Sequence, residues 1–197
     1  MPSEKERTDG LNLTHHFLIA MPSVVDPIFG GSVIYMCEHN ANGAMGLIIN
    51  KPTDMTVSDL FDRIDLKLEN IPDSHPMGKH LVMFGGPVQD DRGFVLHAPV
   101  GEFSSSLKVT PDIAFTTSRD VLEALAAGDG PERMILSIGY AGWSAGQLEQ
   151  ELLANGWLTV PADLHILFDL PAEERFVAAM RLLGIDPFLL TAQAGHA

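Results

Sequence analysis

Short apolar runs separated by polar turns dominate the first 117 residues, and this alternation is typical of β-strands. The last of these runs is interrupted at Pro111, since proline lacks the N–H that a strand ladder requires. Two later apolar runs also have the length of strands. Strands are therefore predicted at residues 16–21, 32–37, 44–50, 80–84, 93–97, 103–117, 134–138 and 164–168.

Two links between these strands have the composition of turns. Residues 38–43 read EHNANG and predict a first hairpin with a six-residue loop, whose turn type stays open. Residues 85–92 read GGPVQDDR and predict a second hairpin between the strands at 80–84 and 93–97. Both hairpins would add antiparallel strand pairs to one sheet.

Four segments carry the spacing and the end signals of helices. Thr56 and Asp59 form a capping box at the start of the first helix. Gly128 and Gly184 end the second and fourth helices, because glycine adopts the left-handed conformation common just after a helix. The other three helices are predicted at residues 118–128, 144–155 and 171–183.

Residues 138–153, IGYAGWSAGQLEQELL, couple an apolar run to a glycine-rich turn and a helix. Ser144 stands at the N-cap position, and Gln147 completes a capping box. The glycines of this turn, Gly139, Gly142 and Gly146, allow close backbone approach. Such a turn either packs tightly or cradles an anion at the helix N-terminus, and packing is the commoner use of a strand–turn–helix corner.

Strands concentrate in the first part of the chain as hairpins, and helices concentrate later. This segregation predicts an α+β fold with a mainly antiparallel sheet and about four helices, rather than a doubly wound α/β fold. The 197-residue length and 46% hydrophobic content suit one domain, which we assign to residues 15–197 after a flexible, polar tail at 1–14.

The charge balance is strongly acidic, with 12 Lys and Arg against 26 Asp and Glu, a formal net charge of −14. Nucleic-acid binding depends on basic groups that neutralise phosphates, so direct DNA binding and attachment to an anionic membrane are disfavoured. Cys37 is the single cysteine and forms no intramolecular disulfide. The first ten residues are polar, and no apolar run is long enough to span a bilayer, so a cytoplasmic location is expected.

Two arrangements of residues invite a catalytic interpretation. Cys37 and His39 share one side of a regular strand but stand about 6–7 Å apart, beyond hydrogen-bond reach. The window G-W-S-A-G around Ser144 fits the letters of a hydrolase nucleophile elbow. Helix capping occupies this serine, however, and an antiparallel first half does not suit that fold. An acid and a histidine downstream of the serine would have to come from Asp163 or Asp169 and from His165 or His196.

The residue spacings predict no metal and no cofactor. The eight histidines show no H-x-H, H-E-x-x-H or H-x₃-H spacing, and no Walker sequence follows any of the glycine pairs. Asp90 and Asp91 are adjacent in a turn, where a solvated pair is the ordinary interpretation. An enzyme is therefore disfavoured, although a site assembled from distant residues stays open.

Seven ordered blocks of sequence, which extend over residues 16–197, resemble the AlgH/YqgE family of bacterial proteins. Lys51 looks like the basic residue that precedes a proline in this family. The blocks are HFLIAMPSVVDPIF (16–29), SVIYMCEHNANGAMGLIINKP (32–52), GGPVQDDRGFVLH (85–97), TTSRDVLEAL (116–125), GYAGWSAGQLEQELLANGWL (139–158), PADLHILFDLPAEER (161–175) and GHA at the C-terminus.

The resemblance implies one α+β domain around a bent, bifurcated sheet that forms a pseudo-barrel. It implies no catalytic residue and no cofactor. Proteins of this family have carried the label of transcriptional regulator, from a link to alginate control. The net charge of −14 makes an indirect effect on gene expression, through a protein or a metabolite, physically easier than direct DNA reading.

Three function classes follow from the sequence. The leading one is a non-enzymatic regulatory or interaction protein with an unknown protein or small-molecule partner. The alternatives are an anion sensor or enzyme that uses the glycine-rich turn at 139–146, with His39 or Glu38 for proton transfer, and a direct DNA binder. The candidate ligand or partner residues are Glu38, His39, Asn40, Gly85, Gly86, Gln89, Arg92, Tyr140, Gly142, Trp143, Ser144 and Gln147.

Overall fold

The computed structural model describes residues 10–68 and 76–188. The strands in these residues join one sheet, and the helices pack on it, so the predicted α+β class is confirmed. The strands are β1 (His16–Ala20), β2 (Val33–Asn40), β3 (Gly43–Ile48), β4 (Pro52–Thr56), β5 (Leu81–Phe84), β6 (Val88–Ala98), β7 (Ser106–Lys108), β8 (Ala114–Thr116), β9 (Arg133–Ser144) and β10 (Trp157–Pro161).

The described residues include four α-helices, the number that the sequence predicts. They are α1 (Val57–Arg63), α2 (Asp120–Ala127), α3 (Gln147–Leu153) and α4 (Ala172–Leu182). A 3₁₀ turn, Pro76–Lys79, and a π-helical segment, His165–Asp169, complete the helical elements. No helix in the described residues is long and apolar enough to cross a membrane.

The sheet follows the order β10-β1-β2-β3-β9-β6-β8-β7 and curls into a half-barrel. All of these neighbours are antiparallel, and β4 and β5 branch from the sheet where β5 pairs in parallel with β9. β9 has two different neighbours along one edge, β5 at Ser137 and Ile138 and β3 from Ala141 to Ser144. The sheet therefore forks at β9.

The predicted second hairpin is wrong, because β9 lies between β5 and β6. Gly85 donates its N–H to Ile138 on one edge of β9, and Val88 pairs with Tyr140 on the other edge. The link from β5 to β6 therefore crosses over β9 instead of turning back beside β5. Turn-forming residues predict that the chain changes direction, but they do not predict which strands pair. Here the pairing depends on β9, which is distant in sequence.

The first hairpin is confirmed, although its loop is shorter than predicted. β2 continues to Asn40, which pairs with Gly43 at the start of β3, so the six-residue link contains only a two-residue turn. The polar residues of EHNANG belong mostly to strands whose outer positions are exposed. Polar composition alone therefore overestimated the length of the loop.

A β-bulge in β2 changes which face of the sheet residues 37–39 lie on, relative to the regular strand that the sequence predicts. Met36 pairs with one residue of β3 and Glu38 with the next, so Cys37 is the extra residue. Cys37 belongs to the core cluster on one face of the sheet, whereas His39 bonds Leu13 of the cluster on the other face. Cys37 and His39 therefore do not share a side.

Two strands and one helical segment differ from the sequence prediction. β4 reads PTDMT without apolar alternation, and β10 was not predicted either. Residues 164–168 were predicted as a strand but are helical, since Asp163 accepts the N–H groups of Ile166 and Leu167. A short apolar run does not distinguish a buried strand from a buried helical turn.

The two helix starts that the sequence predicts near residues 56 and 144 have different outcomes. The capping box at α1 is confirmed: Thr56 accepts the N–H of Asp59, and the Asp59 carboxylate accepts the N–H of Thr56. The predicted N-cap at Ser144 is wrong, because β9 runs through Ser144 and Gly146 is the N-cap of α3. α3 is consequently shorter than predicted.

The sheet is buried on both faces. Alternate residues of β1 to β3 face a first core cluster inside the half-barrel, which includes Phe17, Tyr35 and Leu47 and is covered by α4. The intervening residues face a second cluster with Trp157, covered by α3. A third cluster lies between α1, α2 and the β5–β6 region, and contains Phe61. Two-sided burial explains why strands such as β1 read as continuous apolar runs.

Candidate functional site

A groove of about 490 Å³ lies across β2, β3 and β9 at the end of the half-barrel. The register aligns Glu38 with Met45, and Met45 with Gly142, so these three residues form a row across the strands. Val88, at the start of β6, pairs with Tyr140 and closes one side of the groove. We call this site the β9 groove; its remaining lining residues are Asn40, Asn42, Gly43, Ala44 and Trp143.

The floor of the β9 groove is apolar and continues into the first core cluster. Met45 and Tyr140 both pack against that cluster. The Tyr140 ring is held edge-to-face on Phe94, with 5.6 Å between the ring centroids. Its hydroxyl makes no hydrogen bond within the described part of the chain, so it remains available to a ligand. Tyr140 therefore offers a rigid apolar ring with a polar end.

Gly142 leaves space in the centre of the floor. A Cβ atom there would lie 3.7 Å from Tyr140 and 3.7 Å from Val88, which is ordinary contact. The residue is exposed near the end of β9, where a side chain would occupy the groove. The absence of a side chain at residue 142 is thus what gives the groove its depth at this point.

The rim on the β2–β3 side is polar and carries one acidic group. The Asn40 amide donates to the Glu38 carboxylate at 3.1 Å, and the Asn40 side-chain oxygen accepts the N–H of Asn42 at 2.8 Å. These bonds hold the turn and orient the Glu38 carboxylate. An apolar floor with a carboxylate at its edge suits a ligand that carries an apolar group beside a cation.

His39, predicted as a candidate for proton transfer, does not reach the groove. It is buried on the opposite face of the sheet, where Nδ1 accepts the N–H of Leu13 at 3.0 Å. Because Nδ1 is an acceptor, the ring proton is on Nε2, which lies 2.5 Å from the Glu149 carboxylate of α3. His39 thereby ties the chain before β1 to α3, which is a structural role.

Trp143, another of the candidate ligand or partner residues, is also buried, at 7% exposure, so its indole is not available as a binding anchor. Its indole lies in the second core cluster beside Trp157. The Glu151 carboxylate accepts the N–H groups of both indoles, at 3.3 Å and 3.1 Å. Tyr140, which is half-buried, is the aromatic residue that faces the groove.

Gly139 of the glycine-rich turn, together with Gly85 and Gly86, permits one segment of the chain to cross another. A Cβ on Gly139 would lie 2.1 Å from the Gly86 carbonyl oxygen, and a Cβ on Gly86 would lie 2.2 Å from the Tyr140 backbone. Gly85 would meet the Gly139 carbonyl oxygen at 2.4 Å. These glycines allow the β5–β6 link to cross β9 in direct backbone contact. The packing interpretation is the one that the structure supports.

The serine and cysteine candidates lack the surroundings of a nucleophile. Gln147 accepts hydrogen bonds from the Ser144 N–H at 3.0 Å and from its hydroxyl at 3.3 Å. His165 bonds Asp169 in the π-helical segment, and His196 lies outside the described residues. Burial and the neighbouring Glu38 raise the pKa of the Cys37 thiol, which disfavours the reactive thiolate.

Arg92 and Gln89 lie on β6 near the groove but do not line it. The Arg92 guanidinium donates to the Gln89 side chain at 3.1 Å and stands 5.7 Å above the Phe94 ring. Phe94 also contacts Tyr140, so the Phe94 ring lies between the Arg92 side chain and the groove floor. Of the predicted candidates, Glu38, Asn40, Tyr140, Gly142 and Trp143 line the groove, although the Trp143 indole lies in the second core cluster.

Sequence reasoning missed the floor residues Met45 and Val88 and a second cavity around Arg175. Met45 and Val88 read as ordinary strand residues. Arg175 is 7% exposed and lies one helical turn before the buried Ala179, so a charged residue stands on the apolar stripe of α4. That interruption of the stripe was the available signal.

No group of three or more His, Cys, Asp or Glu side chains positioned to hold a metal occurs in residues 10–68 and 76–188.

Comparison with known proteins places the chain in a family. A family model described as AlgH-like matches residues 17–188. A UPF0301 protein of Ralstonia nicotianae is 60% identical over 187 residues, with 95% of this chain and 96% of the relative covered. A UPF0301 protein of Chromobacterium violaceum is 60% identical over 189 residues, with 96% and 100% covered.

Solved structures agree with this placement. The solution structure of AlgH from Pseudomonas aeruginosa matches with a TM-score of 0.76 and 51% identity, over 95% of this chain and 97% of that one. A crystal structure of a Corynebacterium diphtheriae protein shares the fold, with a TM-score of 0.67, 19% identity and 86% of each chain covered. The chain belongs to the AlgH-like family.

Proposed function

We propose that this AlgH-like protein is a non-enzymatic interaction protein that binds a short segment of a partner protein in the β9 groove. One observation carries the proposal: the groove combines a fixed aromatic ring, an open floor at Gly142 and a polar rim, all at the accessible ends of β2, β3 and β9. Large rigid aromatic side chains with a polar end are favoured anchors of protein interfaces.

The chemistry of the groove specifies the partner segment. An apolar side chain of the segment packs on Met45 and Tyr140, over the space left by Gly142. A lysine or arginine of the segment pairs with the Glu38 carboxylate, the acidic group among the groove-lining residues. The net charge of −14 attracts a basic segment over longer distances and speeds the encounter.

Three features support a binding role over catalysis. The Ser144 hydroxyl is bonded to Gln147, the Cys37 thiol is buried, and the His39 ring is committed to Leu13 and Glu149. General acid–base or nucleophilic catalysis needs such groups to reach a bound substrate. In the proposal, the groove contributes complementary shape and charge alone.

The proposal places any effect on gene expression at the level of a protein partner. The acidic surface opposes DNA phosphates, so a regulator would be reached by protein contact rather than by DNA contact. The proposal includes a cytoplasmic location, which cell fractionation with an antibody to this chain tests.

A random peptide library displayed on phage and selected on the purified full chain tests the proposal. We expect the selected peptides to share an apolar residue next to Lys or Arg. Gly142→Leu, which fills the floor, is expected to weaken a selected peptide by about tenfold or more, the loss of a well-packed anchor. Glu38→Gln is expected to weaken it by about fivefold, the upper range of an exposed ion pair.

Two matched variants control for unspecific effects. Ala145→Leu introduces the same leucine side chain at an exposed position outside the groove, and Glu132→Gln removes an exposed carboxylate outside it. Both are expected to bind the peptide like the unchanged protein. Selection without a shared apolar-basic motif, or equal losses in Ala145→Leu and Gly142→Leu, would refute the proposal.

A further inference from the structure

A second cavity lies between β5, β9 and the start of α4. It has a volume of about 390 Å³, within the range of small-molecule sites. Most of its wall is apolar, with Met83, Ile135 and Phe168 on different elements and Leu81 at the mouth. A cavity with such walls suits the apolar body of a small organic molecule.

Arg175 brings a buried positive charge to this apolar wall. The side chain is 7% exposed, and its Nε donates to the Leu170 carbonyl at 3.1 Å. Nη1 donates to the Ile49 carbonyl oxygen, while Nη2 makes no hydrogen bond with any described residue. No buried side-chain nitrogen or oxygen in the described residues lacks a partner, so Nη2 is the part of the guanidinium that remains accessible.

No carboxylate among the described residues forms a salt bridge with Arg175. Asp169 also lines the cavity, but its carboxylate is bonded by Arg133 at 2.9 Å and by His165 at 3.2 Å. Glu173 lines the cavity as well and is exposed to solvent. Buried charges in proteins are ordinarily paired, because an uncompensated ion loses its hydration without a replacement. The two carbonyl groups satisfy donors of the guanidinium, and the charge of the exposed Glu173 offsets its burial only in part, since burial still lowers the pKa of Arg175 to about 10.

The N-terminus of α4 opens on the same cavity. Pro171, Ala172 and Glu173 all contribute to its lining, and α4 has no side-chain N-cap. The N–H groups of the first helical turn have no acceptor within the helix, and the positive end of the helix dipole favours an anion there. A buried guanidinium and an uncapped helix N-terminus therefore converge on one apolar chamber.

We propose that this chamber, which we call the Arg175 cavity, binds a small organic carboxylate with an apolar body. The carboxylate accepts hydrogen bonds from Nη2 of Arg175 and from the backbone N–H groups of Ala172 and Glu173. The apolar body lies against Met83 and Phe168. This inference does not rest on the β9 groove, since no residue lines both sites.

A titration of the isotope-labelled full chain followed by NMR tests the inference, with hexanoate as the probe. We expect saturable shifts of the Ala172 and Glu173 amide signals, with a dissociation constant of about 1 mM or tighter. Hexanol, which has the same chain without the charge, is expected to give no saturable shift of these two signals. Inorganic phosphate, which has the charge without the chain, is expected to bind at least about tenfold more weakly than hexanoate.

Two variants locate the site without removing a structural residue. Leu81→Trp enlarges a side chain that is 42% exposed at the cavity mouth and is expected to weaken hexanoate at least about tenfold. Leu182→Trp makes the same change at a residue that is 43% exposed on α4 outside the cavity, and is expected to leave binding unchanged. A third variant, Arg175→Lys, changes the guanidinium itself and is expected to lose binding; because Arg175 also bonds two backbone carbonyls, circular dichroism checks its folding.

Three results would overturn the inference. The first is the absence of saturable shifts at Ala172 and Glu173 with hexanoate in the unchanged chain. The second is binding of hexanol or of phosphate as tight as that of hexanoate. It would show that binding does not need the carboxylate, in the case of hexanol, or the apolar chain, in the case of phosphate. The third is equal weakening in Leu81→Trp and Leu182→Trp, which would place the ligand elsewhere.

Discussion

The crossing of β9 by the β5–β6 link makes a graded prediction for three alanine substitutions on neighbouring glycines. Gly139 has a φ of 70° and no room for a Cβ, which would lie 2.1 Å from the Gly86 carbonyl oxygen. Gly146 has a φ of 78° but nothing within 4 Å of its Cβ position. Gly142 has neither restriction, since its Cβ would make contacts of 3.7 Å. The three positions separate backbone strain from steric overlap.

The magnitudes follow from these two contributions. Gly146→Ala introduces left-handed strain alone, which costs about 1–2 kcal/mol. Gly139→Ala adds overlap with backbone that cannot move away freely, worth about 1–3 kcal/mol, so the sum is about 2–5 kcal/mol. Gly142→Ala reduces the freedom of the unfolded chain at a compatible site and is expected to stabilise the fold by about 0.5–1 kcal/mol.

Thermal unfolding followed by circular dichroism measures the series. At about 2–4 °C per kcal/mol for a chain of this size, Gly139→Ala is expected to lower the Tm by about 4–20 °C, and Gly142→Ala to raise it by about 1–4 °C. Urea unfolding of the same variants gives the free-energy differences directly. Equal effects of Gly139→Ala and Gly146→Ala would refute the close crossing, because the overlap would then contribute nothing.

Three further predictions concern contacts described above. Burial lowers the pKa of His97, and its bond to the Pro99 carbonyl opposes this with a smaller effect. The unfolded chain therefore binds more protons than the folded chain just below pH 6.5, and the stability is expected to fall as the pH drops through 6.5. In His97→Gln the Tm is expected to depend less on pH. Thr56→Ala removes the capping box of α1 and is expected to cost about 1 kcal/mol in urea unfolding, with most of the loss restored in Thr56→Ser. Glu149→Ala leaves Nε2 of buried His39 without its acceptor and is expected to cost about 1–3 kcal/mol and to speed hydrogen exchange at the Leu13 amide, whereas Gln150→Ala on the exposed side of α3 should do neither.

Local signals in the sequence predicted local structure well. The Thr56 capping box starts α1 where expected, Gly128 ends α2 in the left-handed conformation, and the first hairpin pairs as predicted. In each case the determining contacts lie within a few residues along the chain. The α+β class followed from the same local elements, because hairpins fix antiparallel neighbours.

Features that depend on distant strands were not predictable in this way. The link at Gly85 and Gly86 looked like a hairpin turn, and only the insertion of β9 makes it a crossing. The β2 bulge, which sends Cys37 and His39 to opposite faces, depends on pairing with β3 and leaves no mark in the residue pattern. β4 forms because β5 is beside it, since its own residues carry no strand pattern.

The residues of the candidate site were predictable only in part, because distant strand pairing decides which of them meet. Glu38, Tyr140 and Gly142 were among the predicted candidate residues, and the register of β2, β3 and β9 brings them together. Trp143 alternates with them along β9 and therefore faces the opposite core. Alternation along a strand separates neighbours that the sequence groups together.

An NMR titration of the isotope-labelled chain with a library-selected peptide tests the β9 groove as the partner site most directly. We predict that the largest amide shifts fall on Met45, Tyr140 and Gly142, and that they disappear in Gly142→Leu but persist in Ala145→Leu. Shifts centred on the Arg175 cavity, or unchanged shifts in Gly142→Leu, would contradict the account.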